Sequence, residues 1–162
     1  ADHVFDTSEL TVHELRRAFM DVVVVGAHKQ LGVTLLSFGY KNGIPLESDL
    51  LFDVRFLPNP HFVPELRSLT GLDEPVQGYL DQSESTQTFL NMTSDFLRFL
   101  IPRYRKEGKS YLTIGVGCTG GRHRSVMVVE RLSKALEGLK GSRLRVKHRD
   151  IFGEESRKLE EQ

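Results

Sequence analysis

The chain has no tryptophan, a single cysteine and no excess of charge, and each of these lacks removes a class of explanation. With Cys118 alone no intrachain disulfide can form, so the fold rests on its apolar core and the thiol stays free for packing or for chemistry. His61, Cys118, His123 and His148 show neither C-x2-C nor H-x3-H spacing, so no metal is expected. The 22 basic residues are balanced by 22 acidic ones, which leaves only local clusters to speak for a polyanionic partner. No apolar run approaches the roughly 18 residues that would suggest a membrane span. The first residues also lack the basic and then apolar pattern of a signal peptide, and a cytoplasmic protein is expected.

What is present suits one ordinary core. The 162 residues are 39% hydrophobic and include ten Phe, which predicts one compact domain with an appendage. Residues 3–5 read as a strand, followed by Thr7 or Ser8 as a helix cap and then an amphipathic helix. One strand and one helix cannot bury both faces alone, so a longer parent protein is expected. Further strands are predicted at 33–40, 50–56 and 111–117, with a last one over LRVKHR. Residues 57–75 hold Pro58, Pro60, Pro64 and Pro75 and read as a long ordered loop or lid. Helical spacing predicts helices at 85–104, with Pro102 in the last turn, and at 125–139. The order predicts an α/β fold with a mixed, partly parallel sheet flanked by helices.

One loop carries most of the chemistry. In GVGCTGGRHRSV a strand ends at Gly117 and a helix begins near Gly121 or Arg122, so the backbone N–H groups between them converge on an anion site. Its glycines allow close approach of an oxyanion, while Arg122 and Arg124 offer guanidinium forks and Ser125 a hydroxyl. Cys118, Gly121 and Arg124 also fit the C-x-x-G-x-x-R loop of cysteine-dependent phosphatases. There Cys118 would attack phosphorus, Arg124 would bind the equatorial oxygens, and Asp53 would be the acid. Gly117 stands where many such enzymes have a histidine. A glycine loop serving tight strand-to-helix packing is the plain structural alternative.

A second set, Asp53, Arg55, Asn59 and His61, follows another strand. If the two strands lie side by side, both loops share a rim at the carboxyl ends, where ligands of open α/β sheets bind. Arg55 and His61 would then complete an anion clamp and Asp53 would accept from hydroxyls or amines; alternatively Asp53 and Arg55 form a structural pair. In KGSRLRVKHR, Arg143, Arg145, Lys147 and Arg149 alternate with Leu144, Val146 and His148, which predicts one cationic strand face, with Lys140 beside it. That face would grip a phosphodiester backbone or guard a sheet edge. Arg98, Arg103, Arg105, Lys106 and Lys109 would extend it.

The stretches SFGYKNGIPLESDLLFDVRFLPNPH, LTGLDEPV, YLTIGVGCTGGRHRSV and KHRD, in that order, resemble the C-terminal domain of the RapZ family. The resemblance implies such a domain at 31–152 and a polar tail at 153–162. It makes 1–30 the last strand, helix and linker of a truncated N-terminal nucleotide-binding domain. It implies ATP and GTP hydrolysis in that N-terminal domain; the G-x-x-x-x-G-K-[ST] loop it needs is absent from these residues. For the C-terminal domain it implies an architecture similar to a sugar-phosphate kinase (phosphofructokinase-like) subdomain and no cofactor. It also implies sensing of glucosamine-6-phosphate, and binding of small regulatory RNA that is presented to an endoribonuclease. Carried over by motif, the pocket is Asp53, Arg55, His61, Cys118, Thr119, Gly120, Gly121, Arg124 and Ser125. The family's RNA-binding members end in a basic tail, where this chain reads GEESRKLEEQ. Three readings stand: a non-catalytic sensor and adaptor domain for a phosphorylated metabolite, a phosphatase acting through Cys118, and an element that assembles a homo-oligomer.

Overall fold

Runs of branched and apolar residues form four strands in the computed structural model, which describes residues 30–151. These are β1 Leu31–Gly39, β2 Leu50–Asp53, β3 Tyr111–Cys118 and β4 Ser142–His148. The expected strand at 3–5, the helix after it and the tail at 153–162 lie outside the described residues. Hydrogen-bonded neighbours follow the order β2-β3-β1-β4, and all three pairings are parallel. Where a mixed sheet was expected, the sheet of the described residues is parallel throughout. Each connection carries the chain back to the starting edge before the next strand begins.

Three helices accompany the sheet: α1 Glu74–Asp81, α2 Glu84–Glu107 and α3 Arg124–Ala135. The period of two along the strands puts Leu31, Val33 and Leu35 on one face with Leu112, Ile114 and Val116 of the neighbouring strand. Leu97 and Ile101 of α2, and Val128, Val129 and Leu132 of α3, close over that face. Each of these side chains is essentially solvent-free, and burying one favours the fold by about 1.5–3 kcal/mol before the entropy of ordering it. A smaller cluster of Leu66, Val76, Leu80 and Met127 binds α1 and the loop before it to α3.

Three boundaries differ from expectation for physical reasons. The proline-rich stretch ends in a helix, α1, because Pro75 falls in the first turn, where no N–H is needed. Pro102 does not end α2, which continues to Glu107 and stops at Gly108 in the left-handed conformation. Ile101 and Tyr104, packed into the core on either side, offset the hydrogen bond that Pro102 cannot donate. Strand β2 stops at Asp53 rather than Phe56, since the chain beyond Val54 is drawn away from the sheet towards α3.

At the carboxyl end of β1 the chain is pressed against the loop after β3. A Cβ at Gly39 would lie 2.5 Å from the Gly120 carbonyl carbon and 2.8 Å from the Gly121 nitrogen, whereas one at Gly120 would meet nothing within 4 Å. Gly39→Ala is therefore expected to destabilise the fold by about 1–3 kcal/mol, while Gly120→Ala should stay within about 0.5 kcal/mol of wild type. Paired denaturant melts measure the difference.

Candidate functional site

The parallel register places the ends of three strands on one rim. Gly39 of β1 stands beside Cys118 of β3, and Asp53 of β2 beside Gly117. The loop of residues 118–123 and the loop after β2 therefore lie together at the carboxyl edge of the sheet, as in other open α/β folds.

The first loop is held from inside by its own sulfur. The Gly121 N–H donates to Cys118 Sγ at 3.2 Å, and Ser125 Oγ lies 3.2 Å from the same sulfur. Cys118 is only 3% exposed, so the thiol faces the interior of the turn. Gly121 has φ +76°, and a Cβ there would strike Gly39 N at 2.6 Å and Asp150 Cβ at 2.8 Å. Outside, Lys41 N–H donates to the Thr119 carbonyl and Gly71 N–H to the Arg122 carbonyl. The backbone N–H groups of Thr119, Gly120, Arg122 and His123 have no acceptor among the described residues, nor do those of Arg124, Ser125 and Val126, whereas Met127 N–H donates to the His123 carbonyl. A row of such donors at a helix N-terminus favours an anion.

Arg124 sits beneath this row and is nearly buried. Its guanidinium donates to the carbonyls of Arg55 at 2.6 Å and Leu57 at 3.2 Å, and to Thr119 Oγ1 at 3.2 Å. It therefore acts as a bracket between the two loops. Arg122 does the same for the segment before α1: Nε donates to the Leu69 carbonyl at 3.0 Å and a terminal nitrogen to that of Ser68. Neither arginine is the free fork that the sequence suggests. His123 is buried, and its Nε2 has no partner among the described residues. Burial first, and the Arg122 charge second, push its pKa below the ordinary histidine value and keep the ring neutral.

Asp53 and Arg55 form a forked pair of their own. Arg55 Nε lies 3.0 Å from both carboxylate oxygens and a terminal nitrogen 2.6 Å from Oδ2, with the guanidinium 4.3 Å over the Tyr40 ring. Hydrogen bonds from Arg55 hold the Asp53 carboxyl below the usual carboxylate range. Such a group is poorly placed to carry the proton of a general acid. His61 is exposed in a short 3-10 helix, Pro60–Phe62, with its N–H on Asn59 Oδ1 and its carbonyl on Arg67.

The cationic strand is smaller than its alternation implies. Arg143, Arg145 and Lys147 of β4 are exposed on one face, and Lys140 lies in the turn before the strand. Arg149 has left that face: its guanidinium donates to Asp150 Oδ2 at 2.9 Å and to the carbonyls of Gly39 and Gly43. Of the cations expected to extend the patch, Lys109 pairs with Asp49 at 2.6 Å, while Arg98, Arg103 and Arg105 donate to backbone carbonyls.

Sequence reasoning passed over Asp150, which is 3% exposed and accepts from Gly39 N–H at 2.7 Å as well as from Arg149. Burial alone would raise its pKa, but the Arg149 and Gly39 hydrogen bonds outweigh burial and hold it low. The aspartate in KHRD was its visible signal. A cavity of about 550 Å³ lies beside Lys134 and Leu144 and another of about 400 Å³ beside Phe56 and Met92. Among the described residues no group of three potential metal ligands occurs, and no helix is long and apolar enough to cross a membrane.

Comparison with known proteins gives the family. The profile of the family described as RapZ C-terminal domain matches residues 31–152. Among curated proteins, the chain is 52% identical over 152 residues to a nucleotide-binding protein of Acidobacterium capsulatum, covering 93% of this chain and 49% of that one. It is 54% identical over 151 residues to one of Geobacter sulfurreducens, covering 93% and 53%. It therefore spans about half the length of the curated relatives it matches.

Because Asp150 has a folded pKa below its unfolded value of about 3.9, its contacts add stability that is complete above that pH and lost as pH falls through the folded value. The stability gap between wild type and Asp150→Asn should be widest near neutrality and close on acidification, as read from denaturation midpoints. A gap that ignores pH would deny Asp150 this part.

Proposed function

Since this chain belongs to the RapZ C-terminal domain family, we propose that it is the non-catalytic sensor and adaptor part of a nucleotide-binding protein. In this reading a phosphorylated small molecule, an amino-sugar phosphate such as glucosamine-6-phosphate, rests on the shelf of loop 118–125. The observation that carries the reading is the set of N–H groups of Thr119, Gly120, Arg122 and His123 and of Arg124 to Val126, which have no acceptor among the described residues, set beside the Asp53 and Arg55 pair. Phosphate oxygens take the amides. Asp53, which stays ionised, accepts from the hydroxyl or ammonium groups of the sugar, and Arg124 keeps the two loops at a fixed separation. Gly120 leaves the shelf open, because no atom stands within 4 Å of where a side chain would begin.

RNA contact belongs to a different surface in this reading. Arg143, Arg145 and Lys147 point from the edge strand β4 and would take phosphates of an RNA backbone, with Lys140 beside them. The parent protein would bind and hydrolyse ATP or GTP in its other half, act in the cytoplasm and deliver the RNA to an endoribonuclease.

The phosphatase reading has one point in its favour, the amide and hydroxyl groups around Cys118 Sγ. It has less support overall: the sulfur is buried, the Arg124 fork is turned to carbonyls, and the Asp53 carboxyl, its expected acid, is held ionised by Arg55.

Calorimetric titration with glucosamine-6-phosphate, glucosamine and inorganic phosphate, followed by an assay for released phosphate, tests the reading. Selective binding of the phosphorylated sugar without release is expected, weakened about tenfold or more in Asp53→Asn and Arg124→Lys. Phosphate release that Cys118→Ser abolishes would make the domain an enzyme, and no binding would remove the sensor reading. For RNA, replacing Arg145 or Lys147 by Ala should weaken binding across sequences and lower the salt slope by about one.

A further inference from the structure

Strand β4 ends the sheet on one side, and its outer edge is unpaired among the described residues. In a parallel ladder the N–H and C=O of one residue point to the same side, and successive residues alternate. The Leu31 N–H donates to the Gly141 carbonyl and the Arg149 N–H to that of Ser37, so the odd-numbered residues from 141 to 149 turn their backbone towards β1. The N–H and C=O groups of Leu144 and Val146 therefore point outward, and they have no partner among the described residues. An edge in this state is a template for one more strand.

The side chains of β4 select what that strand carries. Leu144 and Val146 lie on the helix side, half-buried against the core. The cavity of about 550 Å³ adjoins the amino end of the strand, lined by Leu139, Ser142 and Leu144 with Ser133 and Lys134 of α3. On the opposite face Arg143, Arg145 and Lys147 are exposed at intervals of roughly 6.6 Å, and none has an ion-pair partner among the described residues. A strand laid along this edge meets apolar side chains on one face and three cations on the other, with the same period of two. A second copy of β4 would set cations against cations, so the edge rejects its own kind. RNA would use the cations alone and leave the outward backbone groups and the cavity unfilled.

We propose that the outer edge of β4 is a docking site for an extended segment of a partner protein in which acidic and apolar residues alternate, paired with β4 as a fifth strand. Hydrogen bonds to the backbone of Leu144 and Val146 supply the affinity, the cavity takes one apolar side chain, and Arg143, Arg145 and Lys147 select the acidic face. A strand seated here covers the cations assigned above to RNA, so the two partners exclude each other. Peptide binding is read without sugar phosphate or RNA, so it stands or falls apart from both readings above.

Fluorescence anisotropy of the 162-residue chain with a labelled peptide, EVEVEVE, tests the edge. Saturable binding is expected, at least about tenfold tighter than that of EEEEVVV, which has the same composition, and of KVKVKVK. Arg145→Glu should weaken it by at least about tenfold. So should Val146→Pro, which removes an outward donor and spares the ladder to β1; unchanged far-ultraviolet dichroism shows that each variant keeps its fold. Methylating either the glutamate or the valine amides of the peptide should abolish binding in one case and spare it in the other. Equal binding of EVEVEVE and EEEEVVV, or survival of both methylations, would reduce the contact to bulk charge and overturn the strand pairing. Indifference to Arg145→Glu would overturn the role given to the cations. No binding of EVEVEVE would overturn the docking site, and oligouridylate binding in its place would give the edge to nucleic acid.

Discussion

At Gly39 the backbone of β1 passes so close to Gly120 and Gly121 that no side chain fits between them, and the rest of the rim is built around that approach. In the same gap Asp150 takes the Gly39 N–H, and Arg149 returns to the Gly39 and Gly43 carbonyls. The chain after β4 is thus sewn to the chain after β1, and the loop after β3 is pressed from both sides. Its shape follows: Gly121 turns left-handed, its N–H falls on the Cys118 sulfur, and the remaining amides face outward.

Charge placement follows the same economy. Arg124 and Asp150 are deep in the fold and half-buried Arg122 lies beside them, and each is satisfied by several partners, as buried ionic groups must be. Arginines that a sequence would assign to a ligand spend their donors on carbonyls of other segments. What remains for a ligand is the backbone itself, plus the Asp53 and Arg55 pair at the surface. Recognition through amides suits a phosphate, whose oxygens accept from several directions at once. Helix α2 keeps Leu97 and Ile101 for the core and leaves Met92, Phe96 and Phe99 exposed.

Much of this arrangement was legible beforehand. Runs such as YLTIGVGC announce a strand because they are rich in β-formers, and all but Tyr111 and Thr113 of this one are buried. The strand, glycine loop and helix of residues 111–135 were readable as one unit; the meeting of two loops on one rim depended on β2 lying beside β3, as the structure has it. Less legible were the places where tertiary contacts outbid local preference. Pro102 passes through α2 because the core holds Ile101 and Tyr104, and β2 ends early because Arg124 draws away the carbonyls that follow it. Arg149 alternates in sequence with the other cations of β4, yet Asp150 turns it away from their face.

By itself the sequence determined the fold class, the family and the position of the glycine loop. Those depend on periodicity, glycine placement and motif order, which are local properties of the chain. Only the tertiary structure decided what each charged side chain is for. A guanidinium's role depends on which carbonyls and carboxylates surround it, and Arg124 meets its partners at Arg55 and Leu57, far away along the chain. Likewise the pattern of α2 is amphipathic on paper, but burial of Leu97 and Ile101 was needed to show that its aromatic stripe is the face left to solvent.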